Sequence, residues 1–231
     1  MTTIHRRTVL SFPLGVAAAA AAHWVGRLPP PPPHAALEFE AFAARWADHA
    51  AATLGGADAD DDVYAWGLLA LLARLDLATL PDYRKRNESP GVVAGPIFGM
   101  AVGELSIAAI RFELEAGRRI QPHDHPPQVV ASVGVAGEAT FRHFESEGSK
   151  PPHEVREPFT VHEMVRGRLR PGRVTALTRA KNWIHAFEAG PQGATLVDFT
   201  CSLPGDPGDW SYLELIESRG EATWSARWVG K

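Results

Sequence analysis

The sequence predicts a mainly β domain, an antiparallel sandwich or barrel, preceded by two helices. Three observations carry this. From residue 97 onward, short stretches such as ELSIAAIRFELEAG and VHEMVRGRLRPGRV alternate apolar and polar residues. Gly and Pro break them at intervals of roughly ten residues, the rhythm of an all-β sandwich or barrel. Before residue 82 the apolar residues recur at helical spacing instead. There is no internal repeat and no βαβ alternation, which argues against a Rossmann or TIM architecture. GxxxxGK[ST] and GxSxG motifs are absent.

Composition narrows the function classes. The chain has 231 residues, 45% hydrophobic and 22% charged, which is ordinary for a globular protein. A domain of this size buries roughly 70% of its unfolded surface, enough for a sizeable core. The formal net charge is −4, so no basic field attracts nucleic acid. Cys201 is the single cysteine, which excludes an internal disulfide framework and any cysteine-cluster metal site. Ten histidines exceed what packing needs.

Taken in order, residues 1–22 (MTTIHRRTVLSFPLGVAAAAAA) have the layout of an export signal: a basic start, a short apolar middle, small residues at the end and no acid. The apolar run falls short of the roughly 20 residues that span a bilayer. Arg6-Arg7 followed by Thr8-Val9-Leu10 resembles a bacterial twin-arginine signal, with Val9 where Phe is usual. A periplasmic or extracellular protein is expected, with no stable membrane span after cleavage. Residues 23–34 form a linker whose run Pro29–Pro33 is stiff and extended.

Residues 35–81 hold the two helices. Leu37, Phe39, Phe42, Trp46 and Ala50 fall near one helical face. Asp60, Asp61 and Asp62 suit the start of a second helix, and Pro81 stops it. Gly67 is its weak point. Residues 82–96 read as a loop with a basic cluster at Arg84, Lys85 and Arg86. The barrel is expected over 97–217 and a tail over 218–231, with Trp210, Trp224 and Trp228 packing on the barrel or staying partly disordered.

The chemistry concentrates at Gly117-Arg-Arg-Ile-Gln-Pro-His123-Asp-His125-Pro126. His-x-His on a strand puts both imidazoles on one sheet face, where they can converge on one metal. Neutral imidazole suits Fe, Zn, Cu or Ni. His185, in a strand-like segment, is the candidate third ligand. Asp124 faces the opposite way and is read as fixing the loop. His143, His153 and His162 are read as surface or supporting residues, Trp183 as core, and Cys201 as a small buried hydrophobe.

Gly-x5-His-x-His resembles the opening of the first cupin motif. The carboxylate ligand that usually follows is missing, because Val129 and Val130 stand at its positions. A three-histidine set without a carboxylate resembles the thiol dioxygenases, and within them the cysteamine dioxygenase and plant cysteine oxidase family. SIAAIRFELEAGRRIQPHDHP, VVASVGVAGEATFRHFE and NWIHAFEAGPQGATLVDFTCSLPGDPGDWSYLEL carry the likeness, which covers residues 36–217. It implies a cupin barrel behind two helices, with Fe(II) on His123, His125 and His185. It implies a catalytic Asp198, and Tyr212 is the tyrosine nearest the family's position. There are two departures: Pro204 stands where the family has that tyrosine, and Pro127 stands where it has Gly.

The implied reaction adds O2 to a thiol, giving a sulfinic acid. Three neutral ligands leave the ion its full 2+ charge, which favours a thiolate. The substrate would be a small aminothiol or the N-terminal cysteine of a peptide. Two alternatives stay open at this point: another metal-dependent cupin enzyme, and a non-catalytic exported cupin that binds a small ligand or a metal.

Overall fold

The computed structural model describes residues 25–27, 36–82, 87–125, 127–204 and 210–230. The export signal, the proline run and the Arg84–Arg86 cluster lie outside the described residues.

Helix α1 (Phe39–Leu54) buries Phe39, Phe42, Ala43, Trp46, Ala50 and Leu54, the single stripe its spacing predicts. Helix α2 (Asp61–Leu72) starts where the Asp60 carboxylate accepts from the Asp62 and Val63 backbone N–H groups at 3.0 Å. It ends well before Pro81. Leu37 donates to Arg74 O and accepts from Asp76 N, and the Asp76 carboxylate accepts from Ala78 N to start a 3-10 turn at Leu77–Thr79. These bonds, two of them to a residue some forty positions earlier, replace the helical ones beyond Leu72. Gly67 is a packing point rather than a weakness: a Cβ there would fall 2.1 Å from His49 Nε2 on α1. Phe42 and Trp46 meet Phe199 edge-on at 5.3 and 5.4 Å, so the helices seal one face of the β structure.

Eleven strands follow or flank the helices: β1 (Val25–Arg27), β2 (Asn87–Ser89), β3 (Val92–Val102), β4 (Leu105–Leu114), β5 (Arg119–Asp124), β6 (Gln128–Ser146), β7 (Phe159–Leu169), β8 (Arg173–Leu177), β9 (Ile184–Ser202), β10 (Tyr212–Ser218) and β11 (Thr223–Gly230). β6 and β9 are 19 residues each and pair antiparallel from Gln128↔Ser202 to Phe144↔Ile184. Halfway along, both pass from one layer to the other. The first layer runs β1-β8-β6-β9-β4-β3-β2. The second is a ring in which β7, β6, β9, β5, β10 and β11 each pair with the next and β11 returns to β7. Register shifts at Gly134/Ala136 and Gly137/Ala139 make the bend. Gly137 has φ +64°, and a Cβ there would sit 2.2 Å from Gly193 O, so no larger residue fits.

This is a mainly β, cupin-type double-stranded β-helix with two helices ahead of it. Three boundaries differ from the sequence reading. Residues 82–96 are not simply a loop: Pro90-Gly91 forms a turn with Gly91 at φ +76°, and β2 and β3 pair around it. Part of the linker, Val25–Arg27, pairs with β8. The expected tail is β11, which closes the ring between β7 and β10. Ser225, Ala226 and Trp228 are buried in it, so the segment is held by packing as well as by hydrogen bonds. Among the described residues no helix is long and apolar enough to cross a membrane.

Trp228 is 1% exposed and its indole donates to Pro151 O. Trp228→Ala is expected to destabilise the fold by about 3–5 kcal/mol, read as a lower urea midpoint at unchanged slope.

Candidate metal centre

Gly117, at φ +70°, turns the chain into β5, which lies on β9 with His123 opposite His185. His185 in turn lies opposite His143 on β6, and His123 opposite Tyr212 on β10. Directly opposed residues share a face. Four adjacent strands therefore present Tyr212, His123, His185 and His143 in one row. His125, two residues beyond His123, joins them just past the end of β5.

The ring nitrogens of His123, His125 and His185 all lie within 4.8 Å of one another. His123 Nδ1 donates to Gln121 O at 2.8 Å and His125 Nδ1 to Gln128 Oε1 at 2.9 Å. The Gln128 amide is itself fixed by donating to Ser202 Oγ. Protons on both Nδ1 atoms leave the two Nε2 lone pairs facing inward. They meet His185 Nε2 at 3.0 and 2.9 Å. A single proton on that nitrogen serves one neighbour well and leaves the other opposed. A cation satisfies all three. Nitrogens at about 2.1 Å from an ion stand roughly 3.0 Å apart on an octahedral edge and roughly 3.4 Å apart in a tetrahedron. Two of the three separations are of this order, and the three ligand nitrogens lie within 4.8 Å of one another. This triad, with His123 and His185 buried and His125 partly exposed, can hold a metal ion.

Burial also keeps the ligands neutral. It lowers His123 to about 4, and burial together with the neighbouring His123 lowers His125 to about 3. His185 is held well below the usual imidazole range, chiefly by burial. Neutral imidazole is the form that binds metal.

Asp124 lies on the other side of β5 and does fix the loop. Its carboxylate is fully buried, pairs with Lys150 at 2.6 Å and His153 at 2.7 Å, and accepts from Ser211 N at 2.8 Å. His153 thus supports the ligand strand from behind. His143 is not a surface residue: it is buried, with Nε2 3.1 Å from Thr175 Oγ1 and its ring 6.2 Å from that of His185. His162 lies on β7 beside Thr223, away from the triad. Val129 and Val130 are fully buried, so no carboxylate stands at those positions. Cys201 and Trp183 are both buried, as read from the sequence.

His123, His125, Asp198 and Tyr212 line one cavity of about 1190 Å³. Asp198 is 2% exposed, and burial pushes its carboxyl up to about 7 despite the opposing Ser132 hydrogen bond. Its Oδ1 has no hydrogen-bond partner among the described residues. The Tyr212 ring lies 6.0 Å from that of His123, and burial raises its phenol above the usual range. Sequence reasoning missed Trp210, whose ring is 5.4 Å from His123, and Phe112 on the facing wall. Neither carries a local signal, since strand pairing alone brings them to the cavity. Gln128 was findable as an amide three residues after His125.

No family model and no curated protein matches the chain. Among solved structures it resembles KdgF from Halomonas sp., at 17% identity over 52% of this chain and 88% of that one, with a TM-score of 0.36. It resembles a double-stranded β-helix protein from Klebsiella pneumoniae at 13% identity, over 59% and 93%, with a TM-score of 0.38. Pumpkin seed globulin matches at 15% over 62% and 34%, with a TM-score of 0.41. The chain spans only 30% of the length of coconut cocosin. At these values the likenesses say nothing of activity.

The depressed imidazoles fix a sign. Between the ordinary value of 6.5 and about 4, the unfolded chain binds more protons than the fold, so these groups lower stability as pH falls through that window. Asp198, raised, acts the other way: its contribution is present below 3.8 and lost as pH rises to about 7. Three imidazoles outweigh it. The metal-free protein is expected to lose melting temperature from pH 6.5 to 4. Saturating divalent metal is expected to raise that temperature at pH 7, bind one ion per chain, and do neither in His185→Ala.

Proposed function

We propose that the protein is a non-haem Fe(II) thiol dioxygenase that converts a thiol and O2 to a sulfinic acid. The observation that carries the reading is the neutral, carboxylate-free triad of His123, His125 and His185, of which His123 and His125 line a large cavity. When bound there, Fe(II) would supply O2 activation and the positive charge that favours thiolate over thiol. Both oxygen atoms end on sulfur, so RSH and O2 account for every atom of RSO2H.

The chain's own residues do the rest. Gln121 O and the Gln128 amide hold two imidazoles in the tautomer that points Nε2 at the ion. Asp124, with Lys150 and His153, holds the strand between them. Asp198 is positioned to keep or release a proton near neutral pH, with one carboxyl oxygen free for a ligand. The Tyr212 ring stands beside that of His123 in the cavity lining. The aromatic and aliphatic walls limit water at the reacting atoms. Residues 1–22, basic at the start and free of acids, support export of the protein.

The test uses Fe(II)-loaded protein, prepared without oxygen and given a panel of small thiols and Cys-initiated peptides. The expected result is O2 uptake matched by a product mass higher by two oxygen atoms, and its loss in His185→Ala. Asp198→Asn is expected to lower kcat by about 10²–10⁴ with metal content unchanged. Full metal occupancy with no uptake for any thiol would overturn the reading.

A further inference from the structure

The cavity is far larger than an aminothiol requires. Its roughly 1190 Å³ reaches past the upper end of the usual range of about 300–1,000 Å³ for sites that take drug-sized ligands. It runs from the triad to the β3–β4 wall on one side and the β10–β11 hairpin on the other. Val92, Pro96, Ile110 and Phe112 form the first wall, and Trp210 and Tyr212 face it.

The polar side chains in this lining are mostly committed elsewhere. Gln128 is held between His125 and Ser202, and the Thr200 hydroxyl donates to Ala108 O. Arg119, the cation of the lining, is paired with Glu188 at 2.9 Å. The metal ligands and Asp198 can serve the two ends of a compact aminothiol, whereas the β3–β4 wall beyond them presents Val92, Pro96, Ile110 and Phe112 and no charged side chain. Trp210 is 45% exposed although its ring lies 5.1 Å from Tyr212 and 5.4 Å from His123. Val229, at the same mouth, is 52% exposed. An exposed indole beside a large cavity with an apolar wall is a typical anchor for an apolar or aromatic group.

We infer that this site takes a ligand whose metal-binding head is carried on an uncharged apolar or aromatic body, lodged between Trp210 and Tyr212 and the Phe112 wall. Selection by that body makes Trp210 and Phe112 the specificity-determining residues. The inference rests on the thiol reading for the identity of the head and on the cavity for the body.

The experiment is calorimetric binding to the zinc-loaded protein, which cannot turn over. The probes are 2-phenylethanethiol, its non-thiol analogue 2-phenylethanol, cysteamine and cysteine. The expected result is binding of 2-phenylethanethiol at least tenfold tighter than cysteamine. Trp210→Ala and Val229→Asp, both at exposed positions, are expected to weaken it about tenfold, and Val229→Asp to leave cysteamine unchanged. Cysteamine or cysteine binding as tightly as the aryl thiol, or no binding of either aryl probe, would overturn the inference. So would an aryl affinity untouched by both variants. Cobalt-loaded protein separates the two readings, since a sulfur-to-cobalt absorption band reports a thiol at the metal. A band with cysteamine and no preference for the aryl body sinks the inference and leaves the thiol reading standing. Aryl binding without a band for any thiol supports the apolar body and sinks the thiol reading.

Discussion

The pairing of β6 with β9 along their whole lengths is the constraint on which the rest of this structure depends. Each strand is 19 residues long and belongs to both layers, so the two cannot move apart without opening the barrel. The bend that lets them do this needs Gly137 against the Gly193 carbonyl, an approach that excludes a side chain. Once the register is set, His143 faces His185, and β5 adds His123 on the other side. Slipping the pair by one residue would turn these imidazoles to the opposite face. The metal centre is therefore a consequence of strand register more than of any loop.

Burial then determines the chemistry. Three imidazoles removed from most of the solvent are disfavoured as cations and remain bases with free lone pairs. The surrounding polar atoms are arranged to preserve that state: two Nδ1 protons meet fixed oxygen acceptors, and the one buried carboxylate close in sequence is neutralised on the far side of the strand. Asp198 experiences the same burial with the opposite outcome and holds its proton longer. Bases and an acid around one cavity are thus both shifted toward their uncharged forms, the imidazoles fully and Asp198 about halfway at neutral pH.

Much of the site was legible locally. Gly117-x5-His123-x-His125 states a turn, a strand and a shared face, all short-range properties. His185 was readable as a candidate because its segment has strand character. Other parts were not legible. His143 looked like any histidine on an alternating strand, and only its register beside His185 buries it. Trp210 sits in a Gly- and Pro-rich stretch that has no period. In the last strand Trp224, Ala226 and Trp228 do alternate, but its position at the end of the chain suggested a tail, and the two neighbours that make it a strand lie at distant positions in sequence. Helix α2 stops early for a similar reason: the bonds between Leu37, Arg74 and Asp76 cross some forty residues.

The sequence by itself determined that the chain is a β domain behind two helices, that His123 and His125 share a sheet face, and that no carboxylate stands where the cupin motif it resembles has one. These follow from periodicity, from the two-residue repeat of a strand and from the identity of Val129 and Val130. Only the tertiary structure decided which histidines meet, how far burial suppresses their protonation, and that the space beside them is large and walled by apolar side chains. Those properties arise between strands that are remote in sequence, where pairing register and exclusion of water act together and leave no mark on any short stretch of residues.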